Sequence, residues 1–265
     1  MKRIILLSLV AVLAFGYWGC KKSEDNPAGS SESGITINEN TYPKNDGTNY
    51  KYSYLRIDST GQHNGTRSTY YKGSATISGT PYKIQIDSLN LNASLQVDTS
   101  YFRTTNAGVY YFIDTTGFAA SITDPSLIPL IPFVTIDKEL LAYSFPLQAG
   151  KSWTVFKINL TSPIFATVVD VSALAVGDTT IVLNLQNDQT SKEALKIRFT
   201  LTLSLNPFSP QMARVFIADV WLIPNIGPAK WEGSGTLVNV FTGLGIDFAD
   251  TTTVVGQSLI DYSIK

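Results

Sequence analysis

The stretch LKIRFTLTLSL, Leu195 to Leu205, decides the fold. Leu195, Ile197, Phe199, Leu201, Leu203 and Leu205 share one face, while Lys196, Arg198, Thr200, Thr202 and Ser204 share the other. Successive strand side chains point to opposite sides, so this period of two describes a strand with one face buried. Weaker versions of the pattern recur along the chain. Tyr50, Tyr52 and Tyr54 alternate with Lys51 and Ser53, and Pro81 to Ile86 alternates after the Ser78-Gly79-Thr80 turn. Tyr101 to Arg103 and Val109 to Ile113 read as a hairpin with Asn106-Ala107-Gly108 at its tip. Trp153–Leu160, Ala166–Val171, Thr180–Leu185, Arg214–Leu222 and Thr252–Ile264 are further strands. Gly150 and Pro224 to Gly227 supply turns. No window sustains a 3.6-residue stripe. Strands joined by turns, without crossover helices, predict a mainly β domain with little helix and an antiparallel sheet.

One segment resists that scheme. Ala119 to Ile136 is rich in Ile, Leu, Phe and Val, yet Pro125, Pro129 and Pro132 forbid a regular helix or a central strand. It reads as a crossing segment that plugs one end of the sheet, or as a lid over an apolar cavity. Leu127, Ile128, Leu130, Ile131 and Phe133 are the lid candidates.

The N-terminus carries an address. Lys2 and Arg3 precede an apolar run from Ile4 to Phe15, interrupted only by Ser8. Such a run fits a signal-peptide core and falls short of the roughly 20 residues that span a bilayer as a helix. Gly19-Cys20 follows, and Cys20 is the only cysteine, so it has no internal disulfide partner. This junction resembles the lipobox of bacterial lipoproteins, in which the chain is cut before the cysteine and acyl groups such as palmitate are attached to it. Tyr17 and Trp18 depart from the usual lipobox residues, and ordinary secretion with cleavage after Ala14-Phe15-Gly16 is the alternative. Two or three acyl chains hold a protein where one is marginal. Residues 1–19 are thus expected to be the signal peptide, 20–34 a lipidated tether and 35–265 the β domain. The tether, KKSEDNPAGSSESG after Cys20, has no large apolar residue and cannot bury a core. Its Lys21-Lys22-Ser23-Glu24-Asp25 start resembles the signal that sends Bacteroidota lipoproteins to the outer cell surface; a generic polar linker reads equally well.

Two longer phrases resemble exported lipoproteins of Bacteroidota and neighbouring phyla. Their pattern runs approximately F-P-L-x-x-G-x-x-W-T, then W-x-x-P-x-x-G-x-x-K. Here the first is Phe145, Pro146, Leu147, Gly150, Trp153 and Thr154; the second is Trp221, Pro224, Gly227 and Lys230. The likeness covers most of the chain by order of elements, but only those positions by identity. It implies one large curved sheet, a half-barrel or open barrel loosely similar to the LolA-type lipoprotein carriers, and placement at the outer membrane. It implies no activity. The residues read both tryptophans as core packing rather than ligand platforms.

Chemistry is sparse. The only histidine, His63, falls in a polar stretch with two glycines, which reads as an exposed loop. Neither G-x-S-x-G nor Ser-x-x-Lys occurs, no calcium loop or phosphate-cradling glycine motif is present, and only six glutamates are available for paired-carboxylate work. No catalytic, metal or cofactor site is therefore expected, and the protein is not expected to be an enzyme. With 44% hydrophobic and 15% charged residues, and a net charge of −1, the chain lacks a nucleic-acid surface. Ser59, Ser88, Thr115, Thr179 and Thr251 each follow an aspartate in a pattern that resembles the Bacteroidota O-glycosylation sequon; Asx turns at strand ends are the plainer reading. The expected function is a binding module for lipid or another hydrophobic cargo in a half-barrel; the alternative is a surface-exposed structural lipoprotein that engages glycans or envelope proteins. Membrane lipid, reached through acylated Cys20, is the expected partner in both.

Overall fold

A computed structural model describes residues 34–114, 132–161, 166–186, 188–204, 213–242 and 250–265. It contains one antiparallel sheet of thirteen described strands. The strands are β1 (Asn49–Asp58), β2 (Gly61–Ile77), β3 (Thr80–Leu91), β4 (Ser94–Thr105), β5 (Gly108–Phe112), β6 (Val134–Ile136) and β7 (Glu139–Ser144). They continue as β8 (Ser152–Leu160), β9 (Ala166–Leu185), β10 (Asp188–Ser204), β11 (Ala213–Ile223), β12 (Gly227–Ser234) and β13 (Val254–Ser263). A single described helix, α1 (Gly235–Thr242), lies between β12 and β13.

Two meanders build the sheet. One runs β8 to β12 and the other β1 to β5, and β13 joins them by pairing with β12 on one side and β1 on the other. The first and last strands of the domain therefore meet in mid-sheet. β7 lies beside β5 and β6 beside β8, at opposite ends of the strand order. Those ends nevertheless approach: the Trp153 indole of β8 donates to the Leu141 carbonyl of β7 at 3.1 Å, and Tyr143 of β7 packs against Phe199 of β10. No ladder joins β7 to β8 among the described residues, so the sheet is a curled, open barrel. The curved antiparallel sheet expected from the sequence is present.

Local chemistry explains the elements. In β10 the inward row of Leu195, Ile197, Phe199 and Leu201 is fully buried. Each such side chain contributes about 1.5–3 kcal/mol by leaving water. Opposite this row a bulge lies in β9: Lys196 faces Gly177 and Ile197 faces Ala175, so Val176 is the extra residue. Ala166–Val171 and Thr180–Leu185 belong to one strand, β9, which runs unbroken through Gly177. α1 has only eight residues, too few to persist alone, and is held by burial of Leu237, Val238 and Phe241. Gly235 lets the chain pass: a Cβ there would lie 2.8 Å from the Thr253 side chain.

Candidate functional site

The inner face falls into two zones. Beneath β8–β12 it is apolar, centred on Phe199, whose ring lies 4.5 Å from Phe241, 5.7 Å from Trp231 and 6.3 Å from both Trp153 and Tyr143. Beneath β1–β5 it is polar. Arg67 and Asp87, 4% and 1% exposed, form a buried ion pair between β2 and β3. Asp87 also accepts from Thr69 Oγ1 at 2.5 Å and Gln85 Nε2 at 2.6 Å, while Arg67 Nη1 donates to Gln257 Oε1 of β13 at 2.9 Å. Tyr111 donates to Gln85 Oε1 at 3.0 Å, and the Arg67 guanidinium lies 5.7 Å from the Tyr52 ring centroid. Burial pushes the hydroxyls of Tyr50, Tyr52, Tyr71 and Tyr143 well above the ordinary tyrosine range. A cavity of about 30 Å³ sits among these side chains, ringed by Tyr50, Tyr52, Arg67, Tyr71 and Gln85. That is room for a water or two, not for an acyl chain.

A second opening lies one step along the same strands, between their hairpin end and α1. It is about 220 Å³, with Tyr54, Arg56, Leu89 and Leu91 from the sheet, Asn92, Ser94 and Gln96 from the β3–β4 hairpin, and Asn239 from α1. Asn239 Oδ1 is buried without a hydrogen-bond partner. Arg56 Nε lies 2.8 Å from Asp58 Oδ2, so its charge is matched.

The outer face carries a shallower groove of about 440 Å³, lined by Ser152, Thr154, Ser172, Leu174, Arg198 and Thr200, with Trp153 and Ala173 beneath. Next to it, Arg198 and Lys196 flank Asp219 at 2.9 and 2.8 Å. Burial raises the Asp219 carboxyl, but the two cations outweigh it and hold the group below the usual carboxylate range. Trp153 packs inward at the seam, as the sequence predicts. Trp221 is also buried, 9% exposed and part of the hydrophobic core cluster, with Lys196 and Lys230 over its ring at 4.9 and 4.7 Å from the centroid.

His63 is no loop residue. Gly61, at φ +127°, closes a tight turn, so the β1–β2 ladder runs to its tip and His63 pairs with Arg56 inside β2. Its Nδ1 is 2.9 Å from Asn92 Nδ2 and its Nε2 is 2.9 Å from Thr60 Oγ1, whose own hydrogen bond reaches Asp58 Oδ1 at 2.6 Å. With Asn92 donating to Nδ1, Nε2 carries the proton and donates to Thr60, which donates to Asp58. A general base needs a free Nε2. The arrangement therefore pins two hairpin tips together. The hydrogen bonds from Thr60 hold Asp58 down at about 2. Among the described residues, no three His, Cys, Asp or Glu side chains cluster as metal ligands.

The remaining candidates scatter. Gly19, Cys20, Thr115, Leu127, Ile128, Leu130 and Ile131 lie outside the described residues. Phe133, 39% exposed, precedes the short β6, and its carbonyl accepts from the backbone and hydroxyl of Thr161 at 2.8 Å. Ser59 and Thr251 are exposed beside true Asx turns, in which Asp58 accepts from Thr60 N and Asp250 from Thr252 N. Ser88 and Thr179 lie half-buried inside β3 and β9, so the turn reading does not extend to them. Sequence reasoning missed the polar inner network and Asn239. Its one available signal was the every-other-residue row Arg67, Thr69, Tyr71 facing Gln85 and Asp87.

No protein-family model matches the chain, and no curated protein matches its sequence. Two crystal structures are similar in shape. One is a provisionally named lipoprotein from Parabacteroides distasonis ATCC 8503, at 10% identity and a TM-score of 0.44, covering 86% of this chain and 100% of its own. The other is a provisionally named exported protein with YmcC-like fold from Bacteroides fragilis NCTC 9343, at 11% identity with the same score and coverage. Neither is described as a LolA-type carrier, and at that score neither likeness carries an argument about function.

Proposed function

We propose that this chain is an exported, lipid-anchored, non-catalytic domain that acts through its surface, engaging glycans or envelope proteins, rather than carrying apolar cargo inside its sheet. One observation carries the reading. Among the described residues, the inner face of the sheet is occupied by its own side chains, apolar under β8–β12 and largely hydrogen-bonded under β1–β5, with openings of about 30 Å³ at the centre of the polar zone and about 220 Å³ at its hairpin end. Small-molecule sites usually need about 300–1,000 Å³. The roomier openings lie at the hairpin end, where the lining is mainly polar, and on the outer face, where Trp153, Ala173 and Leu174 add apolar surface to a polar lining.

The anchor rests on Gly19-Cys20 and the absence of any other thiol. Cys20→Ser is expected to move the protein from the membrane fraction into the soluble fraction and to block maturation. Retention of the variant in membranes washed with high salt and carbonate would refute the lipid anchor. The cargo reading keeps one observation in its favour: Phe133, at the end of the apolar Ala119–Ile136 segment, is left partly exposed.

A further inference from the structure

We infer that the outer face of β9 around its bulge is the side of the domain that rests on lipid, with Val176 and Val182 as the contacts and Leu174 beside them. This rests on the lipid anchor proposed above and gives it an orientation. Alternate residues of β9 from Ser172 to Asn184 form one solvent-facing row. Its three large apolar members, Leu174, Val176 and Val182, are 42%, 49% and 54% exposed. Val176 is the extra residue of the bulge, with no partner opposite it on β10, and a bulge re-aims the side chain it inserts.

The point where the chain enters the domain names the occupant. The described chain begins at Gly34, and Ile35 N donates to Asp178 Oδ2 at 2.8 Å, in the middle of that row. Ile37 then bonds Leu147 through both its backbone groups, so the entry point is fixed. Val176 and Val182 lie about 7 and about 14 Å from Asp178 along the strand. Cys20 precedes Gly34 by fourteen residues of small and polar composition, a length that spans roughly 20 Å root-mean-square. An acyl group on Cys20 therefore holds this face close to the headgroups. Three half-exposed side chains are a weak contact for a free protein, but anchoring makes the contact intramolecular. Charge adds no pull toward anionic lipid: Lys196 and Arg198 share Asp219, and Asp178 and Glu193 are carboxylates. Other exposed apolar residues lie farther off. Leu222 is level with Asp178 through Leu195, and Ile217 and Val215 come five and seven residues before it on β11. Leu95 and Val97 sit beside the β3–β4 hairpin. The opening beside α1, past Ser234 at the other end of β12, stays at the end away from the lipid.

The test takes the chain from residue 20 and couples its single thiol to maleimide-headgroup lipid in phosphatidylcholine nanodiscs that also carry a gadolinium-chelate lipid. Leucine and valine methyl NMR signals then report how near each side chain comes to the lipid surface. Those of Leu174, Val176 and Val182 are expected to be lost to paramagnetic broadening while those of Val215, Leu95 and Val97 remain, at low and high salt alike. Val176→Ser combined with Val182→Ser, both at exposed positions, should leave the melting temperature in place and restore the Leu174 signal. If the double variant does not fold, the wild-type pattern alone decides. Uniform broadening of all these methyls, stronger broadening at Val215 or Val97, loss of the pattern at high salt, or a Leu174 signal still lost in the folded double variant would overturn the assignment. So would concentration-dependent shifts of Val176 and Val182 in the uncoupled protein without discs, which would mark a second copy as the occupant. Because the coupling is imposed chemically, failure here leaves the Cys20 anchor to be judged by the Cys20→Ser fractionation.

Discussion

β2 and β10 are neighbours in neither sequence nor sheet, yet they follow the same rule and bury opposite chemistry. Both strands send every second side chain inward. In β10 the row is Leu195, Ile197, Phe199 and Leu201, held by dispersion and by removal of apolar surface from water. In β2 it is Arg67, Thr69 and Tyr71, held by Asp87, Gln85 and Gln257 from the strands around it. The apolar zone tolerates imperfect geometry, because dispersion is non-directional. The polar zone does not: Arg67, Thr69, Gln85 and Asp87 are tied to specific partners, and loss of one leaves the others exposed to a desolvation cost, although Arg67 Nε and Gln257 Nε2 have no partner among the described residues. One sheet thus has a half that is filled by volume and a half that is filled by pairing.

The largest expected effect separates the halves by pH. Tyr42, Tyr50, Tyr52, Tyr71 and Tyr143 are all buried, and burial holds every one of their hydroxyls neutral well above 10.0. In the unfolded chain they ionise near 10.0. Raised folded values mean stability that is complete below pH 10 and is lost as pH climbs toward the folded values. Each tyrosine removes up to about 1.4 kcal/mol per pH unit there. Five acting together exhaust the ~5–15 kcal/mol of a typical domain within roughly two units. Circular dichroism and tyrosinate absorbance, followed together above pH 10, should show the buried tyrosines titrating only as the fold is lost. Smooth titration of every tyrosine in a chain that stays folded would contradict the polar zone as described.

Single truncations come next and should look alike. Phe199→Ala empties the centre of the apolar zone and should cost about 3–5 kcal/mol. Asp87→Ala strands the buried Arg67 and should cost about 3–5 kcal/mol as well. Chemical denaturation measures both. The smallest effect distinguishes them: adding Arg67→Met to Asp87→Ala should cost about zero beyond the single variant, because the second change removes the charge that the first left unpaired. Additive losses would mean that the pair is not coupled in the folded protein. No comparable second truncation should relieve Phe199→Ala.

The same division explains what the sequence disclosed. β10 was legible because leucine, isoleucine and phenylalanine mark its inward row unambiguously, whereas β11 exposes Val215 and Ile217 and β13 buries Gln257 between Val255 and Leu259. β2 was not, because Arg67, Thr69 and Tyr71 on its inner row look no different from the Ser68, Tyr70 and Lys72 that face out. Its partners decide which side is in, and those are distant in sequence: Gln257 is 190 positions from Arg67. α1 escaped for a different reason. Its Thr236, Val238, Val240 and Phe241 are strand-prone residues, and tertiary burial rather than propensity makes the helix. Of the candidate site, Tyr54 was readable as a buried strand residue. The cleft was not, because it exists only where α1 crosses toward the β3–β4 hairpin.

The claim on which the account turns is that the described sheet is filled by its own side chains, and the most direct test is titration of the folded domain with a fluorescent long-chain fatty acid. The account predicts weak, non-saturating emission that is unchanged by Phe199→Tyr or Arg67→Lys, substitutions made inside the two zones. Saturable binding at one site per chain, weakened by either substitution, would place an apolar chamber under the sheet and contradict it.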